Sequence, residues 1–129
     1  MTPGELADLA HLRRARDLID REYARPLRVS AIARLTARSP FQFIRDFRGA
    51  YGTTPAQHLR ARRMARACEL LTTTPMSVTE IARRVGYRSL GTFSRVFRTS
   101  TGDSPLAYRR RTRKPVYIPS CFLRMYRVD

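Results

Sequence analysis

Apolar side chains recur along this chain at intervals of three and four residues, the spacing that gathers them on one face of an α-helix. Between residues 5 and 23, Leu9, Leu12, Ala15, Ile19 and Tyr23 make such a face, and Pro26 stops the run. Val29, Ile32 and Ala33 form a shorter stripe, followed by Phe43, Ile44 and Phe47. A longer run opens at Thr54-Pro55 and carries Leu59, Met64, Ala67, Leu70 and Leu71 before Thr72-Thr73-Thr74-Pro75 breaks it. Its residues 57–71 correspond to roughly 22 Å of helix. Val78, Ile81, Ala82 and Val85 come next, then Leu90, Phe93, Val96 and Phe97, and a last short helix opens at Ser104-Pro105 and includes Tyr108. The pattern predicts an all-α fold of about seven helices.

Part of this pattern occurs twice. Ile32-Ala33-Arg34 returns as Ile81-Ala82-Arg83, and Phe43, Arg45, Phe47, Arg48, Gly52 and Pro55 return as Phe93, Arg95, Phe97, Arg98, Gly102 and Pro105. The second copy has one extra residue in its turn. Each copy reads as a short helix, a turn and a second helix, so the chain divides into a first helix-turn-helix lobe (1–55), a linker helix (56–71), a second lobe (72–111) and a tail (112–129).

The two copies differ in local signals. In the second, Ser77 and Glu80 have the spacing of a capping box, and Gly86 supplies the residue that tolerates positive φ at a helix end. In the first, Arg28 stands in place of Ser77, a positive charge at the positive end of a helix dipole, while Ala37 and Arg38 stand in place of Gly86 and Tyr87. Ser39-Pro40 then restores a clear helix start. The first helix of the first copy is expected to be the less stable of the pair.

Charge narrows the choice of partner. Twenty-six Lys and Arg face ten Asp and Glu, for a formal charge of +16. The excess runs through the periodic part of the chain, which argues for a polyanionic partner. The N-terminus lacks the continuous apolar core of a signal peptide, and no run is long and apolar enough for a membrane span. The two histidines, His11 and His58, lack clustered partners, and Cys68 and Cys121 have no metal-like spacing. Neither an enzyme nor a metal or cofactor site is expected, and a reduced cytoplasmic setting, associated with the nucleoid, is the default.

Helix, turn and helix is the arrangement that presents the second helix to a DNA major groove, whose base edges offer a distinct hydrogen-bond pattern for each pair. The candidate reading helices are residues 40–49 and 89–98. In the first, Phe41, Gln42 and Arg45 fall away from the inward positions, with Ile44 at the margin. Gln42 suits adenine, Arg45 guanine, and Phe41 a thymine methyl. In the second, Leu90, Thr92, Ser94 and Arg95 are the candidates, while Gly91 has no side chain to read a base. Arg48, Arg60, Arg62, Arg66, Arg84, Arg88 and Arg98 are candidates for phosphate contacts, with helix starts at Ser39, Ser77 and Ser89 as further donors. The bland reading of any one of these is a solvated residue on a basic protein. A rival for the whole chain is an architectural or nonspecific DNA-binding protein driven by charge.

The ordered set Ile81-Ala82, Val85-Gly86-Tyr87, Ser89, Phe93-Ser94-Arg95-Val96-Phe97, Gly102, Ser104-Pro105 and Tyr108-Arg109 resembles the C-terminal DNA-binding domain of the AraC/XylS family of bacterial transcriptional regulators. Ser39-Pro40, Phe43, Phe47, Gly52, Pro55, Arg63-Met64 and Ala67 extend the resemblance, which covers about residues 15–111. It implies two recognition helices in successive major grooves of an asymmetric site, bound as a monomer, and regulation of transcription, most often activation, through RNA polymerase. It also implies DNA contacts at Phe41, Gln42, Arg45, Thr92 and Arg95, and a structural role for Arg63 in the linker. Most members carry a further sensory or dimerisation domain, so the expectation here is a stand-alone member whose activity follows its abundance. Leu90-Gly91 replaces a usually polar base-reading pair. The tail, with apolar runs at 116–118 and 121–123, fits an extended segment folded back on a lobe, a partner surface or disorder.

Overall fold

The computed structural model describes residues 1–113, and the expectations for 114–129 lie outside the described residues. Seven α-helices follow in order: α1 (Pro3–Arg21), α2 (Val29–Leu35), α3 (Pro40–Tyr51), α4 (Pro55–Thr73), α5 (Val78–Arg84), α6 (Leu90–Thr101) and α7 (Pro105–Thr112). They form two lobes that share α4, the all-α arrangement expected from the sequence.

Side-chain caps set most of the helix starts. Thr2 with Glu5, and Thr54 with Gln57, form complete capping boxes ahead of α1 and α4. Ser39, Ser77, Ser89 and Ser104 each accept a backbone N–H at the start of their helices. At Ser77 only half of the expected box forms: the Glu80 N–H donates to Ser77 Oγ, but the Glu80 carboxylate does not return the bond. Arg28, at the start of α2, gives no side-chain cap.

Several helices run differently from the expected spans, for local reasons: α3 reaches Tyr51 and α6 runs from Leu90 to Thr101, against the expected 40–49 and 89–98, each ending at a left-handed glycine, Gly52 or Gly102. α1 begins two residues earlier, on its Thr2 cap, and ends at Arg21, before Tyr23. α4 continues past Leu71 because the threonines sustain its last turn: the hydroxyls of Thr72, Thr73 and Thr74 donate to the carbonyls of Cys68, Glu69 and Leu70 at 2.9, 2.7 and 2.7 Å. α7 takes in Thr112, whose hydroxyl donates to Tyr108 O at 2.8 Å.

Each lobe has its own core. Leu12, Ala15, Ile19, Ile32, Ala33, Phe43 and Phe47 form the first, with Leu59 packed at its edge. Met64, Ala67, Leu70, Leu71, Ile81, Ala82, Val85, Phe93 and Phe97 form the second. Leu9, expected to pack, is instead exposed at 40%, because it lines an open cleft between the start of α1 and α3. Tyr23, expected on the same face of α1, leaves the helix and packs against the second core. The aromatic pairs Phe43–Phe47 and Phe93–Phe97 both have ring centroids 5.7 Å apart, and each fully buried ring contributes about 1.5 to 3 kcal/mol. His58 and Tyr108 occupy equivalent places, edge-on to Phe47 at 5.8 Å and Phe97 at 5.4 Å. The Tyr108 phenol is held above its ordinary pKa by the nearby Cys68 and by burial.

Arg63 stands at the junction of the lobes. Arg63, on α4, donates from Nε to Tyr23 O at 2.7 Å and from Nη2 to Arg25 O at 2.9 Å, both in the loop after α1. Its guanidinium also lies 5.2 Å from the Tyr87 ring centroid in the second lobe, and beside Gly86. Arg109 has a related part within the second lobe, donating to the carbonyls of Leu71, Thr74 and Met76.

The turns carry the clearest local contrast between the copies. Gly86 has φ +106°, and a Cβ there would meet the Arg63 guanidinium at 3.0 Å. Ala37, its counterpart, also sits in the left-handed region, at φ +56°, at a cost that glycine does not incur. Ala37→Gly is therefore expected to stabilise the protein by about 1 kcal/mol, and Gly86→Ala to destabilise it by at least about 1 kcal/mol, both read by urea unfolding. Arg63→Ala leaves two carbonyls without their charged donor and is expected to cost about 2 kcal/mol in the same assay. Arg63→Lys, which lacks the forked donor geometry, recovers less than half of that loss.

Candidate nucleic-acid interface

The second helix of each unit is fixed by what it buries. α3 turns Phe43 and Phe47 inward with no exposure, and α6 does the same with Phe93 and Phe97. Residues displaced by about half a turn from these positions must then face outward. On α3 they are Phe41, Gln42, Ile44, Arg45 and Arg48, all exposed, with Phe41 at 76%. On α6 the exposed set is Leu90, Gly91, Thr92, Arg95, Arg98 and Thr99. Ser39 and Ser89 lie at the two helix starts, where the first amide groups already donate to their hydroxyls.

One position differs from the outward placement read from the sequence. Ser94 is half-buried and shares a cleft with Val78, Leu90, Ser104, Pro105 and Leu106, so it faces the start of α7 more than open solvent. Leu90, although exposed, lines the same cleft. Ile44, placed at the margin by its spacing, is 36% exposed and stands one turn from Phe41. Phe41 and Ile44 together put a small apolar surface beside Arg45. Its signal in the sequence is weak, because Ile44 also fits the buried stripe.

The arginines sort by whether the fold already engages them. Among the described residues, Arg48, Arg60, Arg84, Arg88, Arg95 and Arg98 form no ion pair, and all six are exposed. Arg62 is half-buried, with its guanidinium 4.6 Å from the Tyr23 ring centroid. Arg66 pairs with Glu69 at 2.9 Å, and this hydrogen bond raises its already high pKa. Both are partly committed to the fold. Arg60 and Arg95 both line one cleft between α4 and α6, with Val96 and Thr99.

The described residues contain no group of three or more His, Cys, Asp or Glu side chains able to hold a metal, and no helix long and apolar enough to cross a membrane. His58 instead bonds Asp20 at 2.7 Å, linking α4 to α1.

Comparison with known proteins agrees with this geometry. A family described as a helix-turn-helix domain matches residues 32–111. The regulatory protein SoxS of Escherichia coli is 34% identical over 106 residues, covering 80% of this chain and 99% of SoxS. The MmsAB operon regulatory protein of Pseudomonas aeruginosa is 35% identical over 88 residues, covering 68% of this chain, which spans only 29% of that relative's length. Among solved structures, the DNA-binding domain of AdpA, a global transcriptional factor held in complex with a target DNA, superposes with a TM-score of 0.73 at 33% identity, covering 78% of this chain and 90% of that domain. With the duplicated helix-turn-helix, the shared linker helix and these relatives in agreement, the chain belongs to the helix-turn-helix family of the AraC/XylS type, whose members are DNA-binding regulators of transcription and not enzymes.

Proposed function

We propose that this protein binds an asymmetric duplex site as a monomer, placing α3 and α6 in successive major grooves, and regulates transcription from it. The observation that carries this reading is that each unit buries a phenylalanine pair on one side of its second helix and leaves an arginine, Arg45 or Arg95, exposed on the other. Phe41, Gln42 and Arg45 are the base-reading set of α3, with Ile44 beside them, and Leu90, Thr92 and Arg95 that of α6, where Ser94, expected among them, is half-buried toward α7. Gly91 leaves α6 with fewer side chains for this task, so phosphate contacts and DNA shape carry more of the second half-site.

Ser39, Ser89, Arg48, Arg60, Arg84, Arg88 and Arg98 supply the backbone contacts, with Arg62 and Arg66 as weaker contributors because the fold already engages them. The AdpA complex with DNA supports this mode of binding by analogy. Resemblance to the AraC/XylS regulators supports activation through RNA polymerase as the regulatory output. A formal charge of +16 favours the second reading, nonspecific DNA binding, in which sequence preference is absent.

Selection of bound duplexes from a random library at physiological salt, followed by footprinting, separates the two. The expected result is one asymmetric site with two protected major-groove segments about one helical turn (~34 to 36 Å) apart, one lost in Arg45→Ala and the other weakened in Arg95→Ala. Arg60→Ala and Arg98→Ala lower affinity for every sequence alike, and each reduces the slope of log affinity against log salt by about 1. Absence of any enriched sequence sinks the bipartite reading and leaves the charge-driven one.

A further inference from the structure

α3 and α6 correspond position by position, and the residues that set their orientation are the same: Phe43 and Phe93, Arg45 and Arg95, Phe47 and Phe97, Arg48 and Arg98. The residue after the exposed arginine differs. It is Asp46 on α3 and Val96 on α6. A second difference, Arg38 in place of Tyr87, is coupled to it in space. Arg38 has only 8% of its side chain exposed, and every arm of its guanidinium is engaged. Nε donates to Asp46 Oδ2 at 2.9 Å, Nη1 to Thr36 O at 3.1 Å, and Nη2 meets Asp8 Oδ1 at 3.2 Å. The second lobe closes the same corner without an ion pair, by packing Tyr87 on Phe93 at 5.6 Å and under the Arg63 guanidinium, with Val96 half-buried against the same core.

The other oxygen of Asp46 is turned toward Arg45. Oδ1 lies 3.8 Å from Arg45 Nε, an ion-pair contact longer than a hydrogen bond, and the Arg45 side chain remains 68% exposed. Neither Nη of Arg45 is hydrogen-bonded among the described residues. A carboxylate on a DNA-facing helix opposes binding to phosphates, so Asp46 adds nothing to nonspecific affinity. Its position beside Arg45 does offer something else. An arginine reads guanine through a planar fork that must lie in the plane of the base, and a long, freely rotating side chain seldom holds that plane unaided.

We propose that Asp46 is a positioning residue for Arg45: its carboxylate, locked from behind by the buried Arg38, holds the Nε edge of the guanidinium and leaves the Nη edge free for O6 and N7 of a guanine. Arg95 has no such support, since Val96 follows it and no ion pair reaches it among the described residues. The first lobe therefore carries the sharper base discrimination, and the second lobe tolerates substitution in its half-site. This inference rests on the base-reading role given to Arg45 above.

The test measures affinity for the selected site and for each single base-pair substitution within it, using Arg45→Ala, Asp46→Asn and the double variant Arg38→Tyr/Asp46→Val. The double variant imports the uncharged pair of the second lobe and so leaves no buried guanidinium unpaired, and thermal unfolding checks that it keeps its fold. Arg45→Ala is expected to abolish preference at one guanine position. Asp46→Asn and the double variant are expected to lower preference at that same position at least about fivefold, with preferences in the second half-site unchanged. If both Asp46 variants retain the full preference that Arg45→Ala removes, the positioning role fails alone. A uniform loss across all positions, tracking a lower unfolding midpoint, also overturns it and leaves Asp46 a purely structural residue. If Arg45→Ala itself leaves every preference intact, the base-reading assignment fails and this inference with it.

Discussion

Burial of two phenylalanines one turn apart on α3, and of their two counterparts on α6, governs what these helices can present to a partner. Phe43, Phe47, Phe93 and Phe97 have no solvent exposure. Rotating either helix to bury a different face would expose two rings, at a cost of several kcal/mol by the area removed from water. With that face pinned, Arg45 and Arg95 have no route inward. The chemistry of the exposed faces is thus a by-product of the contacts buried in each core, which is why a surface of flexible arginines has a defined orientation.

Sharing one helix between two cores creates a second constraint. The start of α4 serves the first lobe through His58 and Leu59, and the rest serves the second through Met64, Ala67, Leu70 and Leu71. Arg63 stands at the changeover. Its bonds to Tyr23 and Arg25 and its approach to Tyr87 tie the loop after α1 to the turn after α5. Tyr23 reinforces the same junction by leaving its own helix for the second core. The relation between the two exposed faces therefore depends on a small number of contacts around one guanidinium.

The copies reach the same backbone by different means. Where the second lobe uses Ser77, Gly86 and Tyr87, the first uses Arg28, Ala37 and Arg38. The first lobe forgoes a side-chain cap and accepts a left-handed alanine, and it holds its turn with an ion network in place of an aromatic ring. Ion pairs with an exposed partner such as Asp8 weaken with salt, whereas ring packing does not. The physical basis of each turn therefore differs even though the folds agree.

Periodicity alone settles the helix count, the duplication and the inward placement of the phenylalanines, because a 3.6-residue repeat and the hydrophobic effect act locally and leave a trace at every turn. Caps at Ser39 and Thr54 and the glycine after α5 are legible for the same reason. Other features depend on residues far apart in the chain. Nothing local marks Tyr23 as a member of the second core, Leu9 as exposed, Ser94 as turned toward α7, or Asp8, Arg38 and Asp46 as one network. Each depends on which helix lies opposite, and that follows from the packing of α1 on α3 and of α4 on both lobes. Which faces are apolar and which are charged is written in the order of residues. Which charges meet is a matter of packing: the pairing of Asp8 on α1 with Arg38 in the turn before α3 joins distant parts of the chain, and such a contact has no periodic signature.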